Sequence, residues 1–397
     1  MTYTALVKIS TPTASATYDV SAYGAEVTID RGRTSPAFED IDPGDCTAVL
    51  NNETRAFDPL YASSPFYGSV IPGSTVTVIG KPAATEYNVF VGRVEDWNLS
   101  YSTSTRSTAI LAASDALAVL GRAEFDEWLA SSTATFPLVS SRLDAILSRP
   151  EVDYNGSTDF DDGPTYLQGD YVSWGSNVLN YCQLIAKTDM GLFFASRGGV
   201  ITYRDRLSFI GSTPTVTLGS SSYPSTGIEV SYGAELLYNR VSVTRVGGEP
   251  QVVSDATSIA AYQITRQLTF DNLLMQDDTT ALDLATRLLA VYKDPLYRIE
   301  RMTVVVQALG ATEQANVLQL DIGSVVSATF TPNGVGSAIT RTCVVEGISH
   351  RITPELHEIT FTLNDGSIYQ TGDFYTVEDA TFGTVDGAGV LDYPIAF

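Results

Sequence analysis

Two histidines are the side chains best suited to metal chemistry in this sequence. His350 and His357 are the only histidines, and they lie in one short region. They could face each other across a hairpin, with Glu346, Glu355 and Glu358 nearby, and two histidines with a carboxylate can ligate zinc. The spacing matches no familiar zinc signature, so exposed polar residues at a strand turn are the alternative.

An acidic loop is the second candidate site. Asp159, Asp161 and Asp162 precede Gly163, but the closing bidentate glutamate of a calcium loop is missing, and a solvated loop is the alternative. Paired carboxylates for glycoside hydrolysis carry little signal in so acidic a chain. We find no Gly-x-Ser-x-Gly elbow, phosphate-binding glycine loop or dinucleotide fingerprint. We therefore predict no catalytic residue, no cofactor and no enzymatic activity.

The charge balance excludes several classes of protein. The 397 residues include 46 acidic and 23 basic side chains, which gives a net charge of −23. Specific nucleic-acid binding is not expected, because phosphate binding needs clustered Lys and Arg. A hydrophobic share of 44% against a charged share of 17% indicates folded domains with real cores, two or three by length.

The cysteines and the N-terminus indicate a protein made and folded in a reducing cytosol. Cys46, Cys182 and Cys343 are odd in number and far apart, so we expect small buried thiols. The first ten residues (MTYTALVKIS) resemble no signal peptide, and no apolar run is long enough for a membrane helix.

Most of the chain has the pattern of short strands. In the first hundred residues, apolar alternation recurs between Gly, Pro, Asn and Asp clusters, which is typical of a barrel or a sandwich. After about residue 226 the pattern returns at 228–232, 241–243, 302–306, 325–330, 343–348 and 359–363. One helix interrupts it at 279–293, with Leu282, Leu288 and Tyr292 facing a core.

The middle of the chain has a mixed pattern. Helices are predicted at 116–120, after Pro137 as far as 147, and at 176–187, and a hairpin at 193–203. We therefore predict a mainly β fold with an α+β insertion, divided into 1–120, 121–225, 226–365 and an extended C-terminal arm, 366–397.

An internal echo bears on the architecture. Residues 72–78 (PGSTVTV) are matched by 322–328 (IGSVVSA), each followed by a strand that breaks at a glycine, Gly92 or Gly347. Each then continues to a strand that ends in aspartate, Asp115 or Asp365. Either the two β regions have a similar spacing of strands and turns by chance, or they are two related small barrels separated by an insertion.

Taken in order, the motifs of both flanks resemble one family, the minor tail proteins of long-tailed bacteriophages, which form the tail-tip or baseplate hub. The N-terminal motifs are 27–33 (VTIDRGR), 42–44 (DPG), 47–52 (TAVLNN), 55–59 (RAFDP) and 64–68 (SPFYG). The C-terminal motifs are 238–241 (YNRV), 288–295 (LLAVYKDP), 321–323 (DIG), 345–350 (VEGISH) and 379–383 (DATFG). The resemblance covers about two thirds of the chain, and the middle insertion matches only loosely.

The resemblance implies a fold and a function. It implies two tail-tube-like β-barrels with an inserted domain, a ring around the tail axis, and a homotrimer. The implied partners are the distal tail protein, the tail tube, the tape measure protein and tip or fibre proteins, at the virion tail tip after assembly in the host bacterial cytoplasm. DNA and the tape measure would pass through the channel. The hydrolase extension of some members is missing, so hydrolysis is not carried over.

The motif residues have structural roles in this interpretation. We expect glycines at tight turns, prolines at strand entries, and arginines paired with Asp30, Asp42 or Asp58 to hold loops or subunits together. The set comprises Arg31, Gly32, Arg33, Asp42, Pro43, Gly44, Arg55, Phe57, Asp58, Pro59, Gly73, Gly323 and Gly347.

Two other functions stay open. A hexameric distal tail protein would carry a single barrel per chain. A glycan-binding or carbohydrate-active virion protein could use exposed aromatic side chains such as Trp97, Tyr101, Trp128 and Trp174 on one face, although buried or interface aromatics are commoner.

Overall fold

A computed structural model describes residues 3–12, 16–33, 38–102, 107–130, 138–209 and 212–366. The predicted C-terminal arm, 366–397, lies outside the described residues apart from Gly366. The fold is mainly β, as predicted. No helix in these ranges is long and apolar enough to cross a membrane.

The described residues form 21 strands and six α-helices. The strands are β1 (Thr4–Ser10), β2 (Thr17–Asp19), β3 (Gly24–Gly32), β4 (Asp45–Asn51), β5 (Thr75–Lys81), β6 (Tyr87–Tyr101), β7 (Ser107–Ser114), β8 (Trp128–Ala130), β9 (Thr158–Phe160), β10 (Asp170–Val172), β11 (Leu192–Ala195), β12 (Ile201–Arg204), β13 (Thr217–Leu218), β14 (Ser225–Ser231), β15 (Arg240–Arg245), β16 (Gln251–Ser254), β17 (Gln267–Leu273), β18 (Arg298–Val305), β19 (Val325–Phe330), β20 (Ile339–Ile352) and β21 (His357–Asp365). The helices are α1 (Leu117–Arg122), α2 (Val139–Leu147), α3 (Val178–Asp189), α4 (Ala256–Tyr262), α5 (Asp278–Tyr292) and α6 (Ala311–Gln319).

Thirteen strands form one main sheet. Its order is β14-β18-β21-β20-β3-β4-β7-β6-β5-β1-β2. β19, with β13 beside it, pairs with the first half of β20, on the same side as β3. The expectation of two closed barrels is not met by these pairings, because no sheet of the described residues closes on itself. The edge strands β2, β13 and β14 each pair on one side alone.

Two groups of six strands within this sheet share one order. The order β1-β5-β6-β7-β4-β3 of the first is matched by β13-β19-β20-β21-β18-β14 of the second. We name residues 4–115 repeat 1 and residues 217–365 repeat 2. The outermost pairs differ, since β1 is antiparallel to β5 whereas β13 is parallel to β19.

Gly73 and Gly323 form the same turn in the two repeats. Their φ angles are +82° and +85°, the left-handed region that glycine adopts without strain. The N–H of Gly73 donates to the carbonyl of Val94 at 2.7 Å, and the N–H of Gly323 donates to that of Val345 at 2.7 Å. The sequence echo at these glycines is therefore a structural equivalence.

A β-bulge follows each of these contacts at the same place. The register against the next strand shifts between Val94 and Asp96 in repeat 1, and between Val345 and Gly347 in repeat 2. Val94 thus corresponds to Val345, and Gly347 corresponds to Asp96. The sequence comparison of Gly92 with Gly347 was wrong, because it placed the two strands four residues out of register.

The two repeats share one hydrophobic core. Their strands alternate buried and exposed side chains, and the inward residues meet in a single cluster. Val76 and Leu111 of repeat 1 and Val326 and Phe361 of repeat 2 are fully buried in it. Neither repeat buries its apolar face alone.

Two further units pack around separate hydrophobic clusters, and the cluster of the first also includes Ile41, Ile322 and Val344 of the repeats. Residues 116–209 contain α1–α3 and two small sheets, β10-β8 and β11-β12-β9, around a second cluster. Residues 236–292 pack α5 on the three-stranded sheet β16-β15-β17, around a third cluster. The unit 236–292 lies in the chain between β14 and β18. At the equivalent place in repeat 1, the chain passes from β3 to β4.

The equivalent glycine turns give a test of the repeat. Gly73→Ala and Gly323→Ala should each lower the free energy of unfolding by about 1–2 kcal/mol, because a Cβ is strained at positive φ. Gly198→Ala is the control, since its φ is not positive and its nearest neighbour is a flexible serine side chain. Urea unfolding measures all three, and loss of stability in only one of the first two variants would contradict the equivalence.

Candidate functional site

Strand β20 carries the junction between the two repeats. Its first half, from Ile339, pairs with β19 of its own repeat, and its second half pairs antiparallel with β3 of repeat 1. The second register runs from Gly347 opposite Gly32 to Ile352 opposite Val27. Among the described strands this is the only ladder between the repeats, so the main sheet is continuous through it.

Two glycines let the backbones approach at the start of this ladder. Gly32 has φ +84°, and a Cβ there would lie 2.2 Å from the carbonyl oxygen of Glu346. A Cβ on Gly347 would lie 2.2 Å from the carbonyl oxygen of Arg33. The Arg33 N–H donates to the Glu346 carbonyl at 2.8 Å. Glycine is required here for close approach as well as for the turn.

Two buried ion pairs cross the junction. Arg33 Nη1 lies 3.1 Å from Glu346 Oε2, and Asn364 Nδ2 donates to Glu346 Oε1 at 2.8 Å. Arg31 donates to Asp321 Oδ1 at 2.8 Å. The expected pairing of these arginines with Asp30 and Asp42 was wrong, because their side chains extend to repeat 2 rather than along their own loop.

Arg31 also reaches the insertion. Its Nη1 lies 3.2 Å from the carbonyl oxygen of Ala195 at the end of β11, and the other oxygen of Asp321 accepts the backbone N–H of Arg197. One side chain therefore connects repeat 1, repeat 2 and the insertion. Its guanidinium is almost completely buried, so these contacts are formed away from water.

Asp115 is the last residue of repeat 1, and it lies beside this junction. Its carboxylate accepts the backbone N–H groups of Gly44 and Leu117 at 2.8 and 2.9 Å. Burial raises the pKa of Asp115 to about 7, and the two N–H donors and Arg31 act in the opposite direction. A Cβ on Gly44 would lie 2.7 Å from this carboxylate, so Gly44 serves crowded packing rather than a turn.

The remaining motif residues lie away from the junction. Arg55 pairs with Asp58 at 2.6 Å, as expected, and this hydrogen bond lowers the pKa of Asp58. Phe57 is buried and stacks on Phe66 and Trp97. Three residues complete the set: Asp42, which is exposed, Pro43, which precedes β4, and Pro59, which lies in a turn rather than at a strand entry.

The two histidines face each other, as expected, but inside the protein. His350 Nδ1 and His357 Nε2 are 2.9 Å apart, and the hydroxyl of Tyr3 contacts His357 Nδ1. Desolvation lowers the pKa of His357 to about 3, and desolvation with the neighbouring His357 and Arg31 lowers the pKa of His350 well below its usual value. Both rings are neutral links in a buried hydrogen-bonded chain.

The nearby carboxylates do not complete a metal site. Glu346 is taken by Arg33 and Asn364, and no group of three His, Cys, Asp or Glu side chains is placed to hold a metal in the part of the chain that the structure describes. The alternative of exposed polar residues at a turn is also wrong for the histidines, since both are buried.

The acidic loop is held by protein groups. Asp159 and Asp161 pair with Arg204, and Asp162 accepts the Ser140 hydroxyl at 2.8 Å. The first two line a groove of about 1000 Å³ between the insertion and both repeats. Their partners are arginine and hydroxyl groups rather than one another, so the loop does not present a set of converging carboxylates.

The candidate aromatic face is not a single surface. Trp97 packs on Phe57, and Trp128 stacks on Phe125 with Arg149 over its ring. Trp174 and Tyr101 are exposed, but they belong to the insertion and to repeat 1 respectively. Four aligned sugar-stacking rings are therefore not present.

The titratable groups at and near the junction are engaged in contacts within the protein. The junction's buried arginines are paired, its histidines are neutral, and the three cysteines are buried free thiols whose pKa values are raised by burial. Sequence reasoning missed Asn364 and Asp321 as partners of this site. The position of Asp321 just before the Gly323 turn, within the echo of repeat 1, was the available signal.

The fold is shared with solved tail proteins of prophages and bacteria. The 43 kDa tail protein of prophage MuSo2 from Shewanella oneidensis superposes with a TM-score of 0.60 at 14% identity, covering 92% of this chain and 99% of that one. A tail protein from Neisseria meningitidis gives 0.63 at 13%, covering 93% and 98%. A prophage tail protein from Listeria monocytogenes gives 0.52 at 10%, covering 91% and 95%. No protein-family model and no curated protein sequence matches.

Removing one partner of the buried ion pair should weaken the junction. Arg33→Met leaves the Glu346 carboxylate buried without its cation, and we expect the free energy of unfolding to fall by about 3 kcal/mol. Arg33→Met with Glu346→Leu should cost less than the sum of the two single changes. Arg351→Met is the control, because its pair with Glu26 is exposed and is worth under about 1 kcal/mol. Equal losses for Arg33→Met and Arg351→Met in urea unfolding would refute this role.

The buried histidines should make the protein less stable in acid. Between about pH 6.5 and pH 3 the unfolded imidazole of His357 binds a proton that the folded one does not, so the free energy of unfolding falls with falling pH, by ~3 kcal/mol near pH 4.5. The lowered pKa of His350 acts in the same direction. The raised pKa values of Asp115 and Asp189 act oppositely.

A double variant separates these contributions. His350→Gln with His357→Gln removes the imidazoles and keeps both carboxyls, so its loss of stability between pH 7 and about pH 4.5 should be smaller than that of the unaltered protein by at least ~3 kcal/mol. Urea midpoints at the two pH values measure the difference. Parallel losses in both proteins would show that the histidines do not titrate on unfolding.

Proposed function

We propose that this chain is a structural protein of a phage tail, and that it forms the hub of the tail tip or baseplate. One observation carries the proposal: two equivalent six-strand repeats are joined edge to edge within a fold that prophage tail proteins share. The ordered motifs of both flanks support the same placement.

The repeats suggest how a ring is built. Each repeat would act as one tail-tube-like β-barrel unit, completed by its neighbours rather than closed on itself. Three copies then supply six units, which match a six-fold tail tube without a symmetry gap. Cyclic closure leaves no open heterologous surface, so we infer a homotrimer.

The hub would connect the tail tube and the distal tail protein to the tip. Its other partners would be the end of the tape measure protein and the tip or fibre proteins, in a virion assembled in the host cytoplasm. The insertion, which lies between the repeats in sequence and has its own core, would project from the ring toward such partners.

The charge of the chain suits a passage for DNA. DNA carries about one negative charge per 1.7 Å, and each Lys or Arg contact adds affinity that would hold it in place. The net charge of −23 leaves few cations for such contacts, and the junction arginines Arg31 and Arg33 are already paired. A ring of this composition would guide DNA and the tape measure without binding them.

Neither alternative function has comparable support. A hexameric distal tail protein would need one ring unit per chain, whereas this chain contains two equivalent repeats. A carbohydrate-active protein would need converging carboxylates or a shared aromatic face, and the described candidates are paired with arginine or lie on separate units.

The assembly can be tested in solution and on the particle. Light scattering of the purified chain should give three times the chain mass, because three copies are needed for six repeats. Antibody labelling of intact phage should place the chain at the tail tip rather than along the tube. A stable hexamer would favour the distal tail protein, and label along the tube or on the capsid would contradict the hub.

A further inference from the structure

The second half of β6 has a neighbouring strand on one edge only, whereas the equivalent half of β20 has one on each edge. In repeat 2 the second half of β20, residues 347–352, has β21 on one side and β3 on the other. The equivalent half of β6, residues 96–101, pairs with β7 on one side. No described strand pairs with its other side, because β5 leaves β6 at Arg93.

Strand β14 also has one edge that pairs with no described strand. Its counterpart in repeat 1, β3, pairs with β4 on one side and with β20 on the other. Among the described strands, β14 pairs with β18 alone and ends the main sheet. The correspondence is close, since β3 has a bulge between Gly24 and Glu26 and β14 has one between Ser225 and Gly227.

We propose that residues 96–101 of one copy pair antiparallel with β14 of a second copy, repeating between chains the β20–β3 junction that exists within each chain. The inference rests on the ring proposed above and names the two edges that form it. Because the edges differ, the contact is head-to-tail, and it must close into a ring or form a filament.

The equivalences fix the register of the pairing. Val345 matches Val94 and Val27 matches Ile228, since each lies at the same bulge or ladder position of its repeat. The intrachain pair of Ser349 with Asp30 then corresponds to Asn98 opposite Ser231 of the next copy. The pair of Arg351 with Thr28 corresponds to Ser100 opposite Glu229.

The two edges also carry little of the usual protection against pairing. Exposed edge strands in monomers are typically blocked by charges, prolines or short length. Residues 97–101 (WNLSY) contain no charge and no proline, in a chain of net charge −23. Asp96 is the one charged residue of the β6 segment, and Glu229 is the one charged residue of β14. Tyr101 is 53% exposed, and Tyr232, which follows β14, is 68% exposed. Edges of this kind are suited to pairing with a strand of another chain.

Engineered cysteines test the register. Asn98→Cys with Ser231→Cys places two thiols at the position where the side chains of Ser349 and Asp30 already form a hydrogen bond within the chain. Oxidised glutathione is the oxidant, and non-reducing gels and light scattering are the readouts. The native cysteines are buried, so they do not compete.

Two further double-cysteine variants show whether disulfides form by pairing in register or by chance collision of the thiols. Asn98→Cys with Thr226→Cys puts the second thiol at the bulge, far from register, and Ser100→Cys with Glu229→Cys tests the same register two residues along. We expect both in-register variants to form a covalent trimer that a reductant dissolves. We expect cross-linking at least ten times weaker from the out-of-register variant.

The outcomes separate the pairing from the function. A trimer by light scattering that neither in-register variant cross-links, or that the out-of-register variant cross-links equally, overturns this pairing and leaves the ring. Monomers without cross-links overturn the pairing and the trimer together. Labelling at the tail tip tests the hub independently of either result.

Discussion

The architecture depends on one strand that changes partners. β20 begins as the neighbour of β19 and ends as the neighbour of β3, so the backbone hydrogen bonds of repeat 2 continue into repeat 1. This requires the two main chains to approach at Gly32 and Gly347, where a side chain on either would collide with a carbonyl oxygen. The common core and the buried ion pairs of Arg31 and Arg33 follow from this closeness, because they join elements that only this ladder brings together.

In the proposed hub, a junction of this kind would hold the two repeats in one arrangement. Buried arginine pairs contribute little net stability compared with apolar packing, but breaking one is costly, so they favour a single arrangement of the repeats. The paired histidines act similarly, since their hydrogen bonds are satisfied only when β1, β20 and β21 are in place. The same geometry, repeated between chains, would give a ring of uniform stiffness.

Local pattern predicted most elements but not their partners. Alternation and capping located most strands of both repeats and helices α1, α2, α3 and α5, but β1, β4 and β13 were not predicted individually. Helices α4 and α6 were missed because they bury few apolar side chains: α4 buries none, and α6 buries only Val317 and Leu318. The glycine turns at Gly73 and Gly323 were recognised as an echo, but the strands after them were aligned on Gly92 and Gly347, which are not equivalent. Gly347 lies at the bulge, where repeat 1 has Asp96, and no local pattern distinguishes these positions. The partners of Arg31 and Arg33 are about three hundred residues away, beyond any local rule.

The central claim is that the repeats of this chain are successive units of one ring. An electron cryomicroscopy reconstruction of the tail tip, computed without imposed six-fold symmetry, tests it most directly. The account predicts six similar β units from three chains, with junctions that alternate between β20–β3 within a chain and β6–β14 between chains. A reconstruction in which the two repeats lie at different radii, or meet through other strands, would contradict it.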